Sequence, residues 1–187
     1  MHALQFIVSF LALGTLSGYA IPSPEPKSSR QVPSIVGTLN TLQKQTSFIL
    51  PEIKSIVASG VATKSSISPL IASVVSNANT AHTSLALVTS PAPTDTDAEA
   101  AAAIVAIIGQ ISSTLQGALV IPGLDDLIDE LGLDPALSQI ISGVDGVLLG
   151  VTDGIAQLFR DAGFPDVANF LDDLSLDLTL LALGIVV

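Results

Sequence analysis

The sequence predicts an all-α protein, built as a helical bundle of about five to six amphipathic helices. Apolar residues recur at alternating spacings of four and three in several segments, which places them on one face of a helix. Composition agrees, since hydrophobic residues make up 49% of the 187 residues whereas aromatic residues make up only 4%. Only Leu174–Leu180 alternates with the two-residue period of a strand, and no second segment could pair with it. We therefore predict that this stretch is also helical.

The first 20 residues have the features of a secretory signal peptide. Leu4–Leu16 is an apolar core of suitable length, and Gly18–Ala20 supplies the small residues at which a signal peptidase cleaves. A retained membrane anchor is the alternative, but the apolar run is short and a Pro-rich segment follows at once. For residues 21–31 we predict a Pro/Ser-rich linker or a short propeptide. Residues 32–187 then form a single helical domain, which lacks cysteine and must be held together by packing alone.

An antiparallel helical hairpin is predicted for the front of this domain, residues 32–88. The first helix, residues 35–59, contains Pro51, which either kinks it or separates two helices; we favour the kink. Gly60 ends it. The second helix, residues 68–88, is expected to begin with Ser68 as N-cap and Pro69 in its first turn. A loop, residues 89–97, separates this hairpin from an apolar and acidic back half, residues 98–187.

The back half is predicted to contain four further helical segments. Thr96 and Glu99 form a capping box for a helix that ends before Pro122 and buries Ile104, Ile107, Ile108, Ile111, Leu115 and Leu119. A short amphipathic helix follows at Leu124–Leu131 and is closed by Gly132. A long central helix begins at Asp134-Pro135, and a last helix begins at Phe164-Pro165 with its inward residues at Val167, Phe170, Leu171 and Leu174.

The central helix, residues 135–163, is the most distinctive stretch, with about seven turns and three unlike faces. Its apolar face is a seam for helix packing or surface binding, formed by Leu137, Ile141, Val144, Leu148, Val151, Ile155 and Leu158. A second face carries a glycine stripe of Gly146, Gly150 and Gly154. Each glycine costs about 1 kcal/mol relative to alanine in a helix. The stripe could allow close packing in a soluble bundle, or easy remodelling at an interface. A membrane span is disfavoured by Asp145, Asp153 and Arg160.

Charge is unevenly distributed along the chain. The net charge is −11, with fifteen of the 17 acidic residues located in residues 91–187. Such a balance repels nucleic acid and anionic lipid head groups, so we expect neither as a partner. The acidic residues either form a solvated surface that keeps an apolar protein soluble, or attract the basic front half within one chain or between chains.

No group of residues has the pattern of a reaction centre. His82 is the only histidine after the signal peptide and has no cysteine to pair with, so we interpret it as solvated or loosely packed. The acidic clusters Asp125–Glu130 and Asp172–Asp177 lack the glycine turn of a calcium loop, and solvated helix faces account for them. Asp95-Thr96-Asp97 lies where a helix N-terminus favours negative charge. We therefore predict no enzymatic activity and no catalytic, cofactor-binding or metal-binding residue.

In outline, the chain resembles the cysteine-free structural proteins of mushroom-forming fungi, which act beside the hydrophobins in aerial hyphae and attachment. The features that match are the leader Met1–Ala20, the Ser/Thr-rich hairpin Val32–Val88 and the apolar, acidic segment Ala100–Val187. The hairpin is also similar to the fungal hydrophobic-surface-binding and cell-wall mannoprotein family. These resemblances rest on no specific motif, and they imply no site residues.

Elimination and resemblance together predict a secreted structural protein of the cell wall or extracellular matrix. We expect it to bind hydrophobic surfaces or cell-wall components, to self-associate, and to support aerial growth or attachment, without a membrane span in the mature chain. The alternative is a helical carrier of a lipid or another apolar small molecule, with a dry pocket between the central helix and Ile104–Leu119.

Overall fold

Seven α-helices pack against one another in the computed structural model, which describes residues 34–161, 171–172, 174 and 176–183. In chain order they are α1 (Ile35–Ala58), α2 (Lys64–Leu85), α3 (Asp97–Ala118), α4 (Leu124–Leu131), α5 (Leu133–Asp145), α6 (Val151–Asp161) and α7 (Asp177–Ala182). These described residues contain no strand, so the prediction of an all-α bundle is confirmed. The predicted signal peptide and linker, residues 1–31, lie outside the described residues.

The front hairpin is present, and α1 continues through Pro51 as one helix of 24 residues. The ring of Pro51 lies on the exposed side of α1. After α1, Gly60 adopts a left-handed conformation with φ of 71°, which reverses the chain toward α2. Pro51 therefore does not divide the predicted first helix into two separate helices.

The predicted N-cap of the second helix was wrong by five residues. Thr63, not Ser68, is the N-cap of α2: its hydroxyl accepts a hydrogen bond from the Ser66 backbone N–H, and the Ser66 hydroxyl accepts one from the Thr63 backbone N–H. This reciprocal pair satisfies the first donors of the helix one turn before Pro69. Pro69 consequently lies inside α2, at an exposed position.

Helix α3 packs against α1, α5 and α6, most extensively against α1. It runs parallel to α1: the loop before α3 contacts the start of α1, and Gln110 and Thr114 lie beside Leu50 and Lys54 farther along. The fully buried side chains of α3 are mainly isoleucines, at positions 104, 107, 108 and 111. Leu119, which we expected to be buried, follows the end of α3 and is 39% exposed.

The N-terminus of α1 is capped by a carboxylate from the loop before α3. Asp95 is 9% exposed and accepts hydrogen bonds from the backbone N–H groups of Ile35 (3.0 Å) and Val36 (3.1 Å) and from the Ser34 hydroxyl (2.5 Å). It also accepts one from Ala92 N–H within its own loop (3.0 Å). Asp95 thus caps the helix that begins 60 residues before it. Thr96 caps α3 through the backbone N–H of Glu99, but the predicted capping box is not completed, because the Glu99 carboxylate accepts from the Thr96 hydroxyl rather than from the Thr96 backbone N–H.

A second buried carboxylate joins the two ends of the back half. Asp134 is 6% exposed and accepts hydrogen bonds from Leu178 N–H, Thr179 N–H (both 2.8 Å) and the Thr179 hydroxyl (2.6 Å). We expected Asp134 to begin the central helix as its cap, but α5 begins at Leu133, with Gly132 as the N-cap. Asp134 instead caps α7, which confirms the helical prediction for the end of the chain over Asp177–Ala182.

The prediction of one central helix over residues 135–163 was wrong. Helix α5 ends at Asp145, a turn occupies residues 146–150, and α6 begins at Val151. The break lies at Gly150, whose φ of 92° no right-handed helix contains. The part of the last predicted helix that includes Val167 and Phe170 lies outside the described residues, whereas Leu171 and Leu174 are buried as expected.

The three glycines of the predicted stripe therefore do not share one helix face. Gly146 is the C-cap of α5, Gly150 forms the left-handed turn, and only Gly154 lies inside a helix. A β-carbon on Gly154 would lie 3.5 Å from Ala101 Cβ, an ordinary van der Waals contact between α6 and α3. Turn formation, rather than close packing of one smooth face, accounts for Gly150.

We expect substitution of two of these glycines by alanine to have opposite effects on stability. Gly150→Ala should lower the free energy of unfolding by about 1–2 kcal/mol, because an L-residue is strained in the left-handed region. Gly154→Ala should raise it by up to about 1 kcal/mol, through better helix propensity in α6. Urea denaturation of both variants measures the difference. Equal effects of the two substitutions would contradict the assignment of Gly150 to the turn.

The cap at Asp95 predicts a loss of stability in acid. Burial would raise the pKa of this carboxyl, but the hydrogen bonds from Ser34, Ile35, Ala92 and Val36 outweigh burial and hold the pKa below its ordinary value of 3.8. The pKa of Asp95 is lower in the folded chain than in the unfolded chain. The charged carboxylate therefore stabilises the fold fully at pH values above the unfolded pKa. This stabilisation is lost as the pH falls through the folded pKa.

The variant Asp95→Asn should therefore be less stable at neutral pH by about 0.5–2 kcal/mol, because its amide nitrogen cannot accept the two hydrogen bonds that one carboxylate oxygen accepts. Its stability should also vary less with pH below pH 3.8 than that of the unmodified protein. Asp97→Asn is the matched control, because Asp97 is exposed in the first turn of α3. Urea melts at several pH values would contradict the capping role if the two variants behaved alike.

Candidate functional site

The predicted seam lies in the interior of the bundle. Six of its seven residues are at most 6% exposed: Leu137, Ile141, Val144, Leu148, Val151 and Ile155. The seventh, Leu158, is partly buried and borders a surface groove. Apart from Leu158, the seam therefore packs against other helices in this fold and does not meet solvent.

A different set of apolar side chains is exposed. Among the described residues, the large hydrophobic side chains with the greatest exposure are Phe48, Val61, Leu87, Leu119, Val120, Leu149, Leu178 and Leu181. Five of these, at positions 61, 87, 119, 120 and 149, lie in connections between helices, where polar residues are usual. The exposed apolar surface therefore concentrates at the two ends of the bundle.

One end, which we call the Val120 end, carries Val61, Leu119 and Val120. Val61 lies in the α1–α2 connection, and the other two lie in the α3–α4 connection. The helices that follow these connections, α2 and α4, contact each other here, and Lys64 Nζ lies 3.5 Å from a carboxylate oxygen of Asp126. Val61 and Val120 are 75% and 78% exposed, so this end presents branched aliphatic groups to water.

The opposite end, which we call the Leu149 end, carries Leu87 and Leu149. Leu87 follows the end of α2, and Leu149 lies in the turn between α5 and α6. Helices α2 and α5 meet here, since a β-carbon on Gly143 would lie 3.9 Å from Leu85 Cβ. Leu149 is 84% exposed, the highest value among the described large apolar side chains. The turn that interrupts the predicted central helix therefore also creates the most exposed leucine.

An open groove of about 380 Å³ runs along the outer side of α3 beside α6. It is lined by Ala102, Val105, Ala106, Gly109, Gln110, Ser113 and Leu158. The Ser113 hydroxyl is already hydrogen-bonded to the Gln110 carbonyl, so the Gln110 side chain supplies the main polar group. The groove could hold an apolar chain, but it brings together no acid, base or nucleophile.

The space between α3 and α5 is much smaller. The gap bordered by Ile104, Ile107, Ile108, Leu137, Ile140 and Ile141 has a volume of about 10 Å³. This volume is about that of one water-sized sphere, which is far too small for an acyl chain. The gap between α3 and α5 is therefore too small for an apolar ligand. The larger space between α3 and the predicted central helix is the groove beside Leu158.

The polar residues considered from the sequence do not come together. His82 Nδ1 lies 3.2 Å from the Gln139 carbonyl oxygen and joins α2 to α5. Asp125, Asp126, Asp129 and Glu130 are exposed on α4. In the part of the chain that the structure describes, no three acidic, histidine or cysteine side chains are grouped so that they could hold a metal ion. Among those residues, Lys64–Asp126 is also the only ion pair between the front and back halves.

Helix α3 is the one described helix that is long and apolar enough to cross a membrane. However, 56% of its most apolar stretch is buried within the bundle. Burial of this extent is expected of the central helix of a bundle.

The sequence predicted the seam for either helix packing or surface binding, and the fold buries six of its seven residues. It did not predict the exposed ends. The available signal was the presence of apolar pairs in turns, namely Leu119-Val120 before Pro122-Gly123 and Leu148-Leu149 before Gly150. In both pairs one residue continues the helical period and the other does not. A large aliphatic residue that lies outside the period and within three residues of a glycine indicates an exposed turn residue.

Comparisons with known proteins do not assign the chain. No protein-family model matches the sequence. The curated proteins likewise include no match.

Proposed function

We propose that the chain is a secreted, non-enzymatic structural protein of the fungal cell wall or extracellular matrix. It adsorbs to hydrophobic surfaces and self-associates, and it supports aerial growth or attachment. The observation that carries this proposal is the exposure of aliphatic side chains at both ends of the bundle, at Val61, Leu87, Val120 and Leu149.

The size of the exposed groups sets the expected strength of adsorption. Removing a leucine or valine side chain from water contributes roughly 1.5–3 kcal/mol when burial is complete. The Val120 end, with three such side chains, therefore contributes a few kcal/mol, before the cost of immobilising the molecule. This energy concentrates the protein at an apolar surface but leaves its adsorption reversible.

Two apolar ends also make each molecule bivalent. One end can lie on a surface while the other meets a second copy, which links adsorption to self-association. The net charge of −11 opposes close approach of copies at neutral pH. We therefore propose that self-association is strongest near the isoelectric point of about 4.1, or where salt screens the charge.

Adsorption should depend on the exposed residues of the two ends. A variant with V61T, L87Q, V120T and L149Q should bind hydrophobic beads more weakly and lower surface tension more slowly than the unmodified protein. Its thermal stability should change little, because all four side chains are largely exposed. The matched control is N40Q, Q45N, N79Q and Q116N, four exchanges of exposed amides that keep polarity constant.

The proposal is wrong if the unmodified protein leaves surface tension unchanged and does not adsorb to the beads. It is also wrong in its choice of residues if the four-residue variant and the amide control adsorb equally well.

A carrier of lipid or another apolar small molecule is the second candidate, favoured by the groove of about 380 Å³ beside α3. Ala106→Leu should fill part of the groove and weaken binding of a fluorescent fatty acid several-fold. Ala98→Leu, at an exposed position near the start of the same helix, is the control. Equal binding by the two variants, together with no lipid in a solvent extract of the purified protein, would exclude the carrier.

A further inference from the structure

The hydroxyl groups of the described threonines fall into two classes. Every threonine on a described helix is hydrogen-bonded through its hydroxyl, most often to a carbonyl one turn earlier, as in Thr41 to Gly37, Thr80 to Ser76 and Thr83 to Asn79. Those of Thr63 and Thr96 take part in helix caps. Within the described residues, Thr89 and Thr94 alone have hydroxyls without a hydrogen bond in the protein, and both are exposed.

These two threonines, with Ser90, lie in the connection between α2 and α3. The connection contains Pro91 and Pro93, which keep its backbone out of the helical conformation. Asp95 orders it: the Asp95 N–H donates to the Ala92 carbonyl (2.8 Å), and the Asp95 carboxylate accepts from Ala92 N–H (3.0 Å) and from the backbone N–H groups at the start of α1. The three hydroxyls therefore stand on an ordered, non-helical and solvent-exposed segment, which an enzyme can approach without unfolding the bundle.

We propose that Thr89, Ser90 and Thr94 are acceptor sites for O-linked sugars. In the reaction, the hydroxyl oxygen attacks the anomeric carbon of a glycosyl phosphate donor. The bond from sugar to serine or threonine oxygen forms, and the sugar–phosphate bond breaks with its electron pair leaving on the phosphate. The hydroxyl proton passes to a base of the transferase. This inference rests on the secretion of the chain, which is part of the proposed function.

Sugars at these positions would make one end of the molecule more polar than the other. Thr89 is only two residues from Leu87, so glycans on this connection would hydrate the Leu149 end. The Val120 end, where α1 joins α2, lies at the opposite end of the hairpin and would keep its exposed aliphatic residues. Glycosylation would thus leave one apolar end for adsorption and turn a hydrated end toward the water.

The test is the intact mass and the peptide map of the full chain after secretion from a eukaryotic host. We expect loss of residues 1–20 and mass increments of whole sugar units, located in the peptide that contains Thr89, Ser90 and Thr94. The variant T89V, S90A, T94V should lose these increments. The control T41V, T80V, T83V removes exposed helical hydroxyls and should keep them.

The outcomes separate this inference from the proposed function. A mature protein with the leader removed and an unmodified mass, with phosphate instead of sugar, or with sugars on helical positions would overturn the glycosylation sites alone. A chain that stays in the cell with its leader intact would overturn both. Adsorption of unglycosylated protein made in bacteria tests the surface activity independently.

Discussion

Burial of α3 among its neighbours is the interaction on which the rest of the structure depends. The chain has no cysteine, so no disulfide limits its unfolded state. Helix α3 contacts α1, α5 and α6, and its isoleucines at 104, 107, 108 and 111 are each about 2% exposed. Each buried isoleucine contributes roughly 1.5–3 kcal/mol through removal of apolar surface from water. A core of this kind leaves few buried polar side chains among the described residues, namely Thr46, Asp95, Ser112, Thr114, Asp134 and Thr179.

Two carboxylates give this aliphatic core its polar connections. Asp95 caps α1 from the loop before α3, and Asp134 caps α7 from the first turn of α5. Both carboxylates are nearly buried and lie at a helix N-terminus, where backbone N–H groups and the helix dipole favour negative charge. The contacts of Asp95 join α1 to the loop before α3, and those of Asp134 join α5 to α7. The acidic residues of the back half therefore include two structural members among mostly exposed ones.

The periodicity of apolar residues was sufficient to predict the class of fold and most residues of the core, Leu119 being an exception. It could not locate the break at Gly150, because Val144, Leu148 and Val151 keep the helical spacing through the turn. The turn over residues 146–150 ends in the left-handed conformation of Gly150, and that conformation has no signature in the spacing. The partners of Asp95 and Asp134 were equally hidden, since they lie 60 and 44 residues away in sequence. The exposed ends were not predicted for a related reason. Residues such as Val120 and Leu149 lie outside the helical spacing, so the periodic pattern does not include them.

The proposed activity follows from which apolar residues the fold buries and which it leaves in water. The seam is enclosed, so adsorption through the exposed ends requires no opening of the core. Amide hydrogen exchange of the protein adsorbed on hydrophobic beads tests this claim most directly. We expect the amides of α3 to remain as protected as in solution, while those near Val61 and Val120 become more protected. Loss of protection along α3 on adsorption would show that the protein binds by opening its core, and would contradict this account.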